Sequence, residues 1–294
     1  MSICWVTGGQ GQVGKALHRY IKSQGSQDYL FLSRADLDIT DLTSAQKLAT
    51  KYPPGCIINL AAYTDVNGAE DNFHKAYLVN SIGVKNLAII AETNDAALIQ
   101  ISTDYVFDGT KSTPYVEIDK PNPLNIYGKS KLKGEEHAQN LCSKLLVIRA
   151  SWIFSEFGDN FVINMIKLSQ RKIPLRVVED QLGGPTSAWS LATALYHFSD
   201  RIIRDETFDD WGVFHFCQRP YVSWFDLCCK VQELLARRQK VCSFAMPCSS
   251  ADFPQAAERP KNSTLDCGKI ERLGLFTTLW LSDLERTVDL YEPP

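Results

Sequence analysis

Tyr127 and Lys131 stand four positions apart in the run Asn125-Ile126-Tyr127-Gly128-Lys129-Ser130-Lys131. The residues from Ser130 to Ala138 carry helical patterning, and on a helix positions i and i+4 share one face about 6 Å apart. An ammonium beside a phenol favours the phenolate. The spacing therefore predicts a Tyr127 pKa below the free value of about 10 and a phenol able to pass a proton at neutral pH. Taken alone, the pair is as compatible with an ordinary exposed helix contact. A second candidate donor follows the apolar run Ala97-Leu98-Ile99-Gln100-Ile101, in Ser102-Thr103-Asp104. Polar groups at the carboxyl ends of parallel strands face the ligand crevice of an α/β sheet, which puts Thr103, with Asp104 beside it, where a substrate carbonyl would bind.

Such groups need a rigid frame and a redox partner, and the N-terminal segment suggests both. Ile3-Cys4-Trp5-Val6 reads as a strand, and Lys15 to Ile21 reads as a helix. Between them glycines fall at Gly8, Gly11 and Gly14, enclosing Gln12 and Val13. The strand–turn–helix context of this G-x-x-G-x-x-G spacing predicts a dinucleotide site, with a tight turn and a close backbone approach to a pyrophosphate. After the second apolar run, Tyr29 to Leu32, Arg34 occupies the place where a basic residue accommodates the 2′-phosphate of NADPH. Asp36 and Asp38 nearby keep NADH open, and Asp38-Ile39 is a rim for adenine. In Asn59-Leu60-Ala61-Ala62-Tyr63-Thr64, the small Ala61 and Ala62 beside Tyr63 let the backbone lie close to the cofactor.

Further apolar runs at Cys56 to Leu60, Ala97 to Ile101 and Leu145 to Arg149 alternate with helical stretches such as Thr43 to Lys51 and Ala76 to Glu92. Continuous apolar strands predict a parallel sheet covered on both faces, hence a doubly wound, Rossmann-like α/β fold. A smaller C-terminal substrate lobe is expected beside it. The cofactor domain takes residues 1–151 plus about 186–217, with a late strand at Val213 to Phe216, and the lobe takes about 152–185 plus 218–294.

Composition narrows the class further. The 294 residues are 45% hydrophobic and 22% charged with a net charge of −3, which argues against a nucleic-acid partner. Nine cysteines without a CxxC pair predict reduced thiols and no metal. No apolar run approaches the ~18 residues of a membrane span, and the expectation is a soluble cytoplasmic protein.

The stretches TGGQGQVG, INLAAYTDV, ISTDYVFDG and YGKSK together resemble the extended short-chain dehydrogenases/reductases, in that family's order and spacing. The resemblance implies a catalytic set of Thr103, Tyr127 and Lys131, the last also reaching the nicotinamide ribose. The second half is similar to the dTDP-4-dehydrorhamnose reductase family, through Arg149-Ala150-Ser151-Trp152, Gly158-Asp159-Asn160-Phe161, Glu179 to Thr186 and Arg259-Pro260-Lys261-Asn262-Ser263. That implies NAD(P)H-dependent reduction of the 4-keto group of dTDP-4-dehydro-6-deoxy-L-mannose to dTDP-L-rhamnose. Trp152 would lay its indole face on the deoxysugar, while Asn160 and Arg259 are candidates for the sugar and diphosphate. Ala16 stands where some bacterial members carry an acid associated with a magnesium-linked dimer, so a monomer or a plain homodimer is expected. Asn67-Gly68 replaces a basic residue of the family. Two other readings stay open. One is a different nucleotide-sugar ketoreductase or epimerase. The other is a non-catalytic NADP-binding regulatory subunit resembling the methionine adenosyltransferase β subunit.

Overall fold

Strands rich in Ile, Leu and Val pair here into one wholly parallel sheet. In the chain they are β1 (Ile3–Thr7), β2 (Tyr29–Leu32), β3 (Pro54–Asn59), β4 (Ala97–Thr103), β5 (Leu145–Ala150) and, much later, β10 (Gly212–Phe216). Their order across the sheet is β10-β5-β4-β3-β1-β2. In this computed structural model, residues 3–171, 173–205, 207–239, 243–275 and 278–292 are described. Every residue of β5 is buried, as two covered faces require. One face carries α1 (Gln12–Ser23) and α8 (Ala188–Arg204), which pack on each other. The other carries α2 (Leu42–Lys51), α5 (Val84–Thr93) and α6 (Ile126–Leu141). The pleat divides each strand between them: Cys56 and Ile58 of β3 join the α1/α8 core, and Ile57 joins the opposite one.

Two short helices, α3 (Gly68–Asp71) and α4 (Phe73–Tyr77), precede a π-helical turn at Leu78–Gly83 that runs straight into α5. β4 continues two residues past the end of its apolar run at Ile101, because Ser102 and Thr103 still pair with Arg149 and Ala150 of β5. β1 pairs with β2 on one side and β3 on the other. The connections after β1 and β3 therefore leave in opposite directions, and a crevice opens outside their carboxyl ends.

A separate core forms between β6 (Ile153–Phe154), α7 (Phe161–Ser169), β7 (Leu175–Val178), α9 (Trp224–Arg237) and α11 (Trp280–Leu290). It contains Phe154, Ile163, Val177, Leu235 and Trp280. The remaining short strands, β8 (Leu182–Gly183), β9 (Thr186–Ser187), β11 (Val222–Ser223) and β12 (Ala245–Cys248), form two-stranded pairs, β11 with β8, β12 with β7 and β6 with β9. The expected lobe of about 152–185 plus 218–294 does not pack as one unit. Leu265 and Cys267, just before α10 (Gly268–Glu271), and Ile270 within it belong to the core of the large sheet with Phe107, Tyr115 and Phe214. Backbone bonds from Tyr115 N to Thr264 O and from Asp266 N to Tyr115 O, each 2.8 Å, hold that segment there.

Candidate active site

The turn after β1 is shaped by contacts that exclude side chains. Gly8 has φ +66°, and a Cβ there would lie 2.6 Å from the Ala61 amide nitrogen. On Gly14 a Cβ would lie 2.6 Å from the Gly9 carbonyl oxygen. Gly11 is the N-cap of α1 and brings no side-chain cap, and the first turn has no acid. The amides of Gln12, Val13 and Gly14 thus lack helix partners at the positive end of the helix dipole. They border a crevice of about 670 Å³.

Arg34, Asp38 and Ile39 form one end of this crevice. Arg34 Nη2 lies 3.1 Å from Asp38 Oδ2, with the arginine side chain 75% exposed. The other Asp38 oxygen accepts from Thr40 N at 3.0 Å and Thr40 Oγ1 at 2.7 Å. Ala61, Ala62 and Tyr63 line the middle, and Thr103, Asp104, Tyr127, Lys131 and Trp152 line the far end.

Helix α6 carries Tyr127 in its first turn because Asn125 caps it, its Oδ1 accepting from Gly128 N at 2.8 Å. Lys131 is buried, and its Nζ donates to the Ile101 carbonyl at 2.6 Å. The expectation of a lowered phenol does not hold in this geometry. Burial pushes the Tyr127 hydroxyl up to about 12, which a hydrogen bond with Thr103 only partly offsets. Burial also brings Lys131 down to about 8, against the opposing field of Glu135 one turn on. The desolvation of the phenol outweighs the cation that the spacing suggested, and that cation is directed at a backbone carbonyl.

Thr103 is 5% exposed and Asp104 is 3% exposed. Thr103 Oγ1 donates to Asp104 Oδ1 at 2.9 Å and accepts from Tyr105 N at 3.1 Å. Burial raises the Asp104 carboxyl to about 7, with the nearby Ser263 and Thr103 hydroxyls acting in the other direction.

Trp152 reaches the crevice with φ +46°. Its indole stacks on Trp224 with ring centroids 3.4 Å apart and planes within 8°. The other face is pressed on Gly183, where a Cβ would collide with the indole. The expectation of an indole face laid on a sugar is corrected accordingly: Trp224 takes one face, and Gly183 lies against the other at Cε2, Cζ2 and Nε1.

Asn160 and Arg259 line an adjoining pocket of about 340 Å³, which shares Gln12, Thr64, Trp152, Ile153 and Asp159 with the first. Asn160 is the N-cap of α7: its Oδ1 accepts from Ile163 N at 3.1 Å, and its Nδ2 donates to Ser155 O at 2.8 Å. Its amide is thus engaged within the protein. Arg259 Nη1 donates to Asn67 Oδ1 and Ala257 O, both at 3.2 Å.

Sequence reasoning overlooked Trp224, Phe161 and Tyr105, which line the second pocket. It also passed over Asn80, whose side chain accepts from Tyr63 N at 2.8 Å and donates to Tyr63 O and Ser130 Oγ, each at 3.0 Å. That amide ties the loop after β3 to α6. The available signal was a polar residue on an otherwise apolar helical face, Ala76, Asn80, Val84 and Leu87. Buried Glu135 was missed too; it receives Arg149 Nη2 at 2.7 Å and also the Ser102 hydroxyl. Among the described residues no three His, Cys, Asp or Glu side chains are grouped as metal ligands. Among them, too, no helix is long and apolar enough to cross a membrane.

A family model described as the RmlD substrate binding domain matches residues 1–292. A dTDP-4-dehydrorhamnose reductase of Aggregatibacter actinomycetemcomitans is 40% identical over 280 residues, covering 94% of each chain. The crystal structure of a dTDP-4-dehydrorhamnose reductase of Clostridium acetobutylicum superimposes with a TM-score of 0.90 at 35% identity, covering 98% of both chains. That of the Bacillus anthracis reductase, determined in complex with NADP, has a TM-score of 0.88 at 32% identity and covers 98% of this chain and 99% of its own.

Proposed function

The chain belongs to the RmlD substrate binding domain family, and from that premise we propose that it is an NADPH-dependent oxidoreductase of dTDP-rhamnose synthesis. It reduces the 4-keto group of dTDP-4-dehydro-β-L-rhamnose to give dTDP-L-rhamnose. One observation carries this reading. A single crevice joins the free amides of α1, the basic Arg34 and the Thr103–Tyr127–Lys131 group, and a second pocket opens off its far end.

The residues present fit a dinucleotide. Unpaired helix amides suit a pyrophosphate, and Arg34 at the opposite end suits a 2′-phosphate. Its ion pair with Asp38 is exposed, hence worth about 0–1 kcal/mol, and gives way to a phosphate at little cost. When bound, the reduced nicotinamide supplies hydride to the carbonyl carbon.

The chain's own part is proton donation, charge stabilisation and orientation. Tyr127, pushed up to about 12, is fully protonated at neutral pH. A ketone that gains hydride becomes an alkoxide, a far stronger base than phenolate, so the phenol is a competent acid as it stands. Lys131, at about 8, remains mostly charged at neutral pH and adds positive potential near the developing negative charge. Thr103 is the second donor toward the carbonyl oxygen. Trp152 and the guanidinium of Arg259 border the space for the sugar and the diphosphate, while Asn160 shapes that space as a cap. Both substrates in this reading are water-soluble, which suits a cytoplasmic monomer or homodimer.

The test is consumption of NADPH in the presence of 4-keto-6-deoxy nucleotide sugars. Turnover with the dTDP-linked L-sugar is expected. Tight NADPH binding with no reduction of any such sugar would replace the enzyme with a non-catalytic, cofactor-binding regulatory subunit.

A further inference from the structure

We infer that Asp104 sets the direction of the Thr103 hydroxyl, and so determines whether Thr103 can donate to the substrate carbonyl. The inference rests on the ketoreductase reading and deepens it. A threonine hydroxyl has one proton and two acceptor lone pairs. The Tyr105 amide occupies one lone pair, at 3.1 Å. One proton and one lone pair remain for two neighbours, Asp104 Oδ1 at 2.9 Å and whatever faces Thr103 from the crevice.

The two protonation states of Asp104 divide these differently. An ionised carboxylate only accepts, so it takes the Thr103 proton. Thr103 then presents a lone pair to the crevice, where it can accept from the Tyr127 hydroxyl but cannot donate to a ketone. A protonated carboxyl can donate to Thr103 instead, which releases the hydroxyl proton toward the carbonyl oxygen. Asp104 is thus a positioning residue acting through Thr103.

The surroundings make both states accessible. Asp104 Oδ2 is buried without a hydrogen-bond partner. The groups facing the carboxyl are Tyr105 of its own turn, Tyr127 of α6 and Ser263 of the segment before α10. The Ser263 hydroxyl donates to the Leu182 carbonyl, 3.4 Å away, which leaves Oδ2 unpaired. Arg259 faces Tyr105, and Lys131 is directed at the Ile101 carbonyl. The groups that move Asp104 are hydrogen-bond donors, not cations, and burial brings it to about 7.

The sign follows from that elevation. Below about 7 the carboxyl is protonated and Thr103 can donate; above it the carboxylate captures the proton. Reduction should therefore weaken as pH rises through neutrality, about tenfold per unit on the limb. Tyr127, at about 12, titrates far above this range, whereas Lys131, at about 8, lies close enough to require separation.

The experiment is the pH profile of kcat/KM for 4-keto sugar reduction, from about pH 5.5 to 9, in the wild type, Asp104→Asn and Thr103→Ala. The asparagine amide can donate to Thr103 at every pH. The wild type should fall above about pH 7, while Asp104→Asn should stay level until the Lys131 limb near 8. Thr103→Ala, slower throughout, should also lose the neutral limb, which covers the case of an Asn variant that does not fold. A wild-type profile that is flat across the range overturns the inference, as does a neutral limb that persists in either variant. A wild type inactive at every pH overturns the ketoreductase reading with it.

Discussion

At the scale of single residues, the acid and the cofactor's charged end make the sharpest claims. Tyr127→Phe keeps the ring against Tyr105, whose centroid is 6.2 Å away, and removes only the transferable proton. Turnover should fall by about 10²-fold or more with NADPH affinity retained, measured by steady-state kinetics beside a fluorescence titration. Wild-type turnover in that variant would dismiss Tyr127 as the donor. Arg34→Ala should weaken NADPH binding by about 10- to 100-fold, the range of a charge-assisted hydrogen bond, and NADH binding much less. Equal losses for both cofactors would make Arg34 a turn residue paired with Asp38. The positions of these residues were legible because they depend on local spacing: a helix puts Tyr127 and Lys131 on one face whatever surrounds it. The direction of the Tyr127 shift was not legible. It depends on how deeply α6 sinks against the tip of β4, and that is a matter of tertiary burial. The Trp152 stack was hidden for the same reason, since nothing in the local pattern links Trp152 to Trp224 or to Gly183.

At the scale of elements, the doubly wound class could be read because each apolar run is continuous and helical stretches separate the runs. The π-helical turn at Leu78–Gly83 could not, because its cause lies elsewhere in the chain. Asn80 clamps Tyr63 and Ser130, and α6 packs so closely that a Cβ on Gly134 would collide with the Asn80 carbonyl. Another cross-element device is the buried pair of Arg149 on β5 and Glu135 on α6, with Arg149 Nη2 at 2.7 Å from Glu135 Oε2 and both side chains at most 4% exposed. Removing one partner of such a pair leaves an uncompensated charge. Arg149→Met should therefore destabilise the fold by about 3–5 kcal/mol. Glu135→Leu combined with Arg149→Met should recover much of that loss, since two apolar side chains replace two desolvated ions. Urea unfolding of Arg149→Met, Glu135→Leu and the double variant decides the matter. If the double variant loses the sum of both single losses, the two side chains act independently and the pair is not what holds α6 to β5.

At the scale of the whole molecule, the crevice lies between two separately packed cores, and side chains tie one to the other, Gln12 to Ser155 and both Ser190 and Gln218 to Asp283 among them. Asn67, on the loop after β3, meets Gln255 at 3.2 Å and Arg259 at 3.2 Å. From sequence, Asn67 registered only as a lost basic residue; its contact with a segment some 190 positions away shows why spacing could not reveal the bridge. The Trp152–Trp224 stack is apolar and stays on the lobe side, both rings packed against the lobe core where the crevice meets it, with Phe161 4.5 Å from Trp224. If the stack works as one wall of the sugar site, its two rings must be energetically coupled. Aromatic pairs contribute about 0.5–1.5 kcal/mol beyond area burial. Trp224→Ala also uncovers one face of Trp152, whose φ of +46° already favours a residue without a side chain. Each single alanine variant should therefore lower kcat/KM for the 4-keto sugar by about 10- to 100-fold, with NADPH affinity nearly unchanged. The double variant should lose clearly less than the product of the two, by a coupling of about 0.5–3 kcal/mol, because the second truncation removes a ring already displaced. A multiplicative double variant would mean that each ring acts alone. A Trp224→Ala variant with wild-type kcat/KM would leave the stack as support for the lobe and return the sugar's recognition to Arg259 and Trp152.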